Sequence, residues 1–85
     1  MRLHLLYFAR LREALGTSSE DVVLPDGIDD VAGLVAWLST RGGDWAAELA
    51  PERSYRVAVD QEMANAGTRL SEGMEVAIFP PVTGG

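Results

Sequence analysis

The chain ends in two glycines, Gly84 and Gly85, reached through Pro80-Pro81-Val82-Thr83. The group that this arrangement serves is the carboxylate of Gly85. With no side chain on either glycine, the arm could thread a narrow channel and present that carboxylate without steric hindrance. The prolines remove sheet donors and fix φ, so the preceding strand cannot run on through them, and the end leaves the domain as a stiff, then flexible, arm. Six residues fully extended reach about 20 Å, enough to enter a pocket in another protein. Most chain ends are frayed and carry no function. Here the Pro-Pro arm follows directly on the apolar run Glu75 to Phe79, which is harder to explain as chance.

Other chemistry-bearing residues are sparse. There is no cysteine, hence no thiol nucleophile, disulfide or thiolate metal site. His4 is the single histidine, with no evident partner, and is expected to be solvated rather than a base or a metal ligand. Glu20-Asp21 reads as a solvated strand entrance and Asp29-Asp30 as a helix cap. Neither has a neighbouring His or Cys to complete a metal site. Gly42-Gly43 lacks the Lys and Ser/Thr of a phosphate loop and reads as a helix C-cap. Trp37 and Trp45 are expected in the core or at its edge.

The elements that must position the arm follow from periodicity. Arg2 to Phe8 has the length and apolar density of a central strand, with Leu3, Leu5 and Tyr7 on one face and His4, Leu6 and Phe8 on the other. Ala9 to Leu15 predicts a short helix stopped by Gly16. Glu20 to Leu24 predicts a strand closed by Pro25-Asp26-Gly27. Val31, Leu34, Val35 and Leu38 fall at i, i+3, i+4 and i+7 of the best helix, capped by Asp29 or Asp30. Asp44 to Ala50 allows one more helical turn. Tyr55 to Val59, the less distinct Glu62 to Ala64, and Glu75 to Phe79 complete the strands, with Val57 and Val59, and Val76 and Ile78, inward. The fold class is α+β: a mixed sheet of four or five strands covering one main helix. The organisation is one domain over 1–79 and an extended tail over 80–85.

Composition bounds the partners. Thirteen acidic residues against seven arginines give a formal net charge of −6, which argues against nucleic acid or an anionic membrane and for docking onto a basic protein surface. No apolar run approaches the roughly 20 residues of a membrane span, and a cytoplasmic location is expected. Without lysine, the chain has no side-chain ammonium to accept an isopeptide bond.

The motifs Leu6-Tyr7-Phe8-Ala9-Arg10, Arg12-Glu13 before Gly16, Val59-Asp60-Gln61 and, most specifically, Glu75 through Gly85 run along the whole chain. Together they resemble the small-subunit family of molybdopterin synthase, ubiquitin-like sulfur carriers of molybdenum-cofactor synthesis. The resemblance implies a β-grasp fold and a carrier that is not an enzyme on its own. An adenylyltransferase related to ubiquitin-activating enzymes would use ATP and Mg²⁺ to adenylate Gly85, and a sulfur donor protein would convert it to a thiocarboxylate. The arm would then enter the large synthase subunit, in a heterotetramer, and give its sulfur to cyclic pyranopterin monophosphate. Phe8, Arg12, Met63 and Phe79 would form the docking patch, with Pro80, Pro81, Val82, Thr83 and Gly84 lining the approach. No cofactor would be bound by the carrier itself. A carrier for thiamin, cysteine or tRNA thiolation, or a ubiquitin-like binding module, is the alternative.

Overall fold

Alternation builds the first strand of the computed structural model, which describes residues 1–81. In β1 (Arg2–Tyr7), Leu3, Leu5 and Tyr7 are buried, while Arg2, His4 and Leu6 face the other way. The remaining elements are α1 (Ala9–Leu15), β2 (Ser19–Val23), α2 (Val31–Ser39), α3 (Gly43–Glu48), β3 (Arg56–Val59), β4 (Glu62–Met63) and β5 (Glu75–Phe79). The strands form one sheet in the order β2-β1-β5-β3-β4. At its centre β1 and β5 run parallel, placing Leu5 beside Val76 and Tyr7 beside Ile78. The outer pairings are antiparallel, β1 with β2, β5 with β3, and β3 with β4. This is the mixed β-grasp sheet expected from the resemblance. The first and last strands lie side by side, so the end of β5 leaves from the middle of the sheet.

The apolar stripe of α2 is as the spacing predicts. Val31, Leu34, Val35 and Leu38 are buried in one core with Leu3, Leu5, Val57, Val76 and Ile78. Burial of each such side chain contributes about 1.5–3 kcal/mol. The cap falls to Asp30, whose carboxylate accepts from the Gly33 N–H at 2.8 Å. Asp29 instead pairs with Arg69, and its carbonyl accepts from the Leu70 N–H. The Val31 and Ala32 N–H groups, orphans of the first helical turn, donate to the carbonyls of Thr68 and Ala66. The loop after β4 thus closes the helix N-terminus.

Gly42-Gly43 does not end α2 as a C-cap. The helix tightens through Thr40, and the Arg41 and Gly42 N–H groups donate to Leu38 and Ser39 three residues back. Gly42, at φ 74°, is the N-cap of α3, and its carbonyl accepts from Trp45 and Ala46. The glycine pair supplies the positive φ that turns one helix directly into the next. By contrast, Gly16 does stop α1, in the left-handed conformation at φ 74°. The strand limits differ from the sequence reading by a residue at β1, β2, β3 and β4, the usual uncertainty of element ends.

Candidate functional site

β5 brings the arm to the surface between α1 and the segment after α3. Pro80 and Pro81 are half-buried there, against a cleft lined also by Arg10, Glu52, Arg53 and Ser54. Glu48 sits between two of these arginines. Its Oε1 lies 3.4 Å from Arg10 Nη2, and its Oε2 lies 3.7 Å from Arg53 Nη2. The first contact is ionic and lacks hydrogen-bond geometry, so a carboxylate oxygen shielded from solvent has only charge to balance it. The Phe8 N–H donates to the Ile78 carbonyl at 3.2 Å, which locks the end of β1 to β5 just before the arm. Val82, Thr83, Gly84 and Gly85 lie outside the described residues.

The outer face of the sheet is set by the same alternation that fills the core. Side chains in register across it are Leu6, Ala77, Ala58 and Met63, one from each of four neighbouring strands. Towards the arm follow Phe79 on β5 and Phe8 just beyond β1. Met63 is 65% exposed and Phe8 45%, while Phe79 is half-buried. Arg12 projects from α1 and is exposed. The structure therefore brings Phe8 and Phe79 together at the root of the arm. Met63 stands two strands away, joined to them by the small side chains of Ala58 and Ala77. Ala58 was missed from the sequence, although it alternates with the inward Val57 and Val59. Arg56 was missed as well; it stands directly opposite Phe79 on the outer face.

Two expectations need correction. His4 has a partner: its Nδ1 lies 2.7 Å from Asp21 Oδ1, because β1 and β2 register His4 against Asp21. Glu20 is not simply solvated. Its Oε2 accepts from the Tyr7 hydroxyl at 2.8 Å, and both carboxylate oxygens accept from Arg41, at 2.8 and 3.0 Å. Arg41 in turn lies over Trp45, 4.3 Å from the ring centroid, and Trp45 packs edge-on to Tyr7. Burial raises the Tyr7 hydroxyl pKa far above its ordinary value, helped by the Glu20 carboxylate. Burial also works to raise Glu20, but hydrogen bonds from Arg41 and Tyr7 and the Arg41 charge outweigh it and hold the carboxyl below its usual range. This cluster braces β1, β2 and the α2–α3 junction on the side away from the outer face. Among the described residues, no group of three or more His, Cys, Asp and Glu side chains is placed to hold a metal ion. No helix there is long and apolar enough to cross a membrane.

The described surface offers an apolar sheet face beside the point where the chain leaves β5. Comparison with known proteins gives the family. The molybdopterin synthase sulfur carrier subunit of Escherichia coli is 34% identical over 83 residues, 98% of this chain and 99% of that protein. The crystal structure of SAMP1 from Haloferax volcanii superimposes with a TM-score of 0.82 at 26% identity, covering 100% of both chains. A structure of the small archaeal modifier protein 1 of H. volcanii gives 0.68 at 29% identity, over 95% of this chain and 98% of that one. Residues 5–85 match the model of the ThiS family, and this chain belongs to that family.

Proposed function

We propose that this chain is the sulfur carrier subunit of a molybdopterin synthase, working through the carboxylate of Gly85. The observation that carries this reading is the full-length likeness to a subunit of that name, 34% identical over 98% of the chain. The geometry supports it, since the central strand β5 feeds the arm out beside an apolar face suited to a partner.

The chemistry is constrained by the terminal group. A carboxylate is a poor electrophile because its leaving group would be oxide. In adenylation by a partner with ATP and Mg²⁺, the carboxylate oxygen attacks the α-phosphorus, pyrophosphate leaves, and the mixed anhydride that results has AMP as a good leaving group. A persulfide on the sulfur donor attacks the acyl-adenylate and expels AMP. A thiol then cleaves the resulting acyl disulfide reductively, leaving a thiocarboxylate and a disulfide on the donor side. The large subunit then takes the arm, and the sulfur passes to cyclic pyranopterin monophosphate. Two such deliveries build the dithiolene, and after each one water hydrolyses the thioester, leaving sulfur on the pterin and returning Gly85 to a carboxylate. Phe8, Met63 and Phe79, with Arg12 at the edge, form the docking face, and Pro80 through Gly84 form the approach.

A second reading rests on the SAMP1 likeness: a modifier whose activated carboxylate is captured by an amine instead of by sulfur. Intact-mass measurement of the chain recovered from its native host decides. A fraction heavier by one oxygen-to-sulfur exchange at Gly85 supports the carrier. Finding the chain only as free carboxylate and in amide conjugates with other proteins overturns it.

A further inference from the structure

The outer face of the sheet is charged differently at its two ends. The row Leu6, Ala77, Ala58 and Met63 crosses the middle. On the arm side, Arg56 stands opposite Phe79, with Arg10 and Arg53 at the root of the arm and Arg12 on α1. Glu13, Glu48 and Glu52 share that end, and Glu48 is already held between Arg10 and Arg53. On the far side, Asp21 faces His4, and His4 stands beside Glu75. Asp60 lies against Glu75 through the bonds Asp60 N–H to Glu75 carbonyl and Glu75 N–H to Asp60 Oδ1. Glu72, whose Oε1 accepts from the Arg2 N–H, extends this acidic end beside Arg2. Four guanidiniums against three side-chain carboxylates thus oppose four carboxylates against one arginine.

The apolar middle gives no direction. Two alanines at its centre make it shallow, and a partner could cover it in either of two orientations related by a half-turn. One orientation aims the arm into the partner's pocket, and the other aims it away. Phe8 and Phe79, both at the arm end, give apolar contact a preference between them, and charge adds a second, longer-ranged one. Arg56 and Glu75 are four positions apart along adjacent strands, about 13 Å. That exceeds the Debye length of about 8 Å at physiological salt, so the two ends act as separate fields.

We propose that this two-signed face is an orientation key. Its partner is a protein surface with basic groups facing the Glu75–Asp60 row and acidic groups at the lip facing Arg56. Docking with the arm reversed is rejected by like charge at both ends. The proposal rests on the carrier reading, with the large synthase subunit as the partner, and goes beyond it by stating how that partner is charged.

The test is stopped-flow association of the chain with the large molybdopterin synthase subunit of its own host, at low and high ionic strength. The double variant Arg56→Glu/Glu75→Arg keeps the net charge and reverses the polarity. It is expected to associate at least about tenfold more slowly at low salt. The gap should close near 1 M salt, where the Debye length falls to about 3 Å. Association at the wild-type rate overturns the key. If the reversed variant fails to fold by circular dichroism, Arg56→Gln/Glu75→Gln, also of unchanged net charge, decides: a smaller slowing supports the key and a wild-type rate overturns it. Failure of the wild-type chain itself to bind the large subunit at any salt overturns the carrier reading instead.

Discussion

The Tyr7 hydroxyl donates a 2.8 Å hydrogen bond to Glu20 Oε2, and so joins the core end of β1 to the edge strand β2. Arg41 closes the same carboxylate from the α2–α3 junction, where its bidentate geometry makes the pair stronger than an ordinary surface contact. Two paired strands and the α2–α3 junction are thereby tied through one carboxylate.

That tie has a pH signature. The Glu20 carboxyl is held below its ordinary value, so the unfolded chain binds the proton more readily than the folded one. Its contribution is present above the unfolded pKa of about 4.3 and is lost as pH falls through the lower folded value. Glu20→Gln should cost about 1–2 kcal/mol at pH 7, with the difference from wild type shrinking below about pH 4. Tyr7 has the opposite sense, because its pKa is raised. Stability from its neutral hydroxyl should fall as pH climbs above about 10, where an unfolded tyrosine ionises. Urea unfolding across pH checks both limbs. A Glu20→Gln deficit that persists undiminished at pH 3 contradicts the assignment.

Core and outer face should respond differently to truncation. Leu5 is fully buried against Val76, and Leu5→Ala should cost about 2–5 kcal/mol. Phe79 is half-buried on the outer face, and Phe79→Ala should cost about 1–2 kcal/mol, below the range for a core Phe. Its main effect should be on binding to the large subunit, read by calorimetry. A thermal loss equal to that of Leu5→Ala, with binding intact, would assign Phe79 to the core.

The short-range features of this fold were legible because each is written within one or two turns of chain. The inward sets Leu3, Leu5, Tyr7 and Val76, Ile78 follow from alternation alone, and the α2 stripe from its 3.6-residue period. What could not be read depends on pairing between distant segments. His4 meets Asp21 only through the β1–β2 register, and Arg41 meets Glu20 across 21 positions. The Gly42-Gly43 pair fits a helix stop or a helix-to-helix turn equally well; the residues that follow, tightly wound into α3, decide it. The docking face was half legible. Its aromatic residues stand out by type, but Ala58 and Arg56 acquire meaning only once β3 is placed beside β5.

The β3–β4 hairpin turns on Asp60 at φ 48° and Gln61 at φ 70°, a conformation that glycine adopts with less strain. Asp60 has a compensating role, since its Oδ1 accepts from the Glu75 N–H at 2.9 Å. Gln61 is exposed and makes no side-chain hydrogen bond among the described residues. Gln61→Gly should therefore stabilise the chain by up to about 1 kcal/mol, a rise of several degrees in Tm. Asp60→Gly should not, because it discards the hydrogen bond as it relieves the backbone. Equal gains in the two variants would show that the Asp60 contact contributes nothing.

Removing Gly85, or adding one residue after it, should separate folding from function. The core is complete by the end of β5, where Val76 and Ile78 are fully buried, so unfolding midpoints should match the wild-type chain. Sulfur transfer should be lost in both variants for different reasons. Deletion leaves the terminal carboxylate one residue, about 3.5 Å, short of the partner's reacting centre. Extension moves it the same distance past and replaces the Gly85 carboxylate by an amide, which cannot be adenylated. A displacement of about 1 Å is already enough to cost about a hundredfold in a positioned reaction. The measurement is single-turnover dithiolene formation with the purified large subunit and chemically thiocarboxylated carrier, so that a failure of activation is not mistaken for a failure of delivery. A deletion variant bearing its thiocarboxylate on Gly84 that delivers sulfur at the wild-type rate would mean that arm length is not read, and that Gly85 is not the working residue.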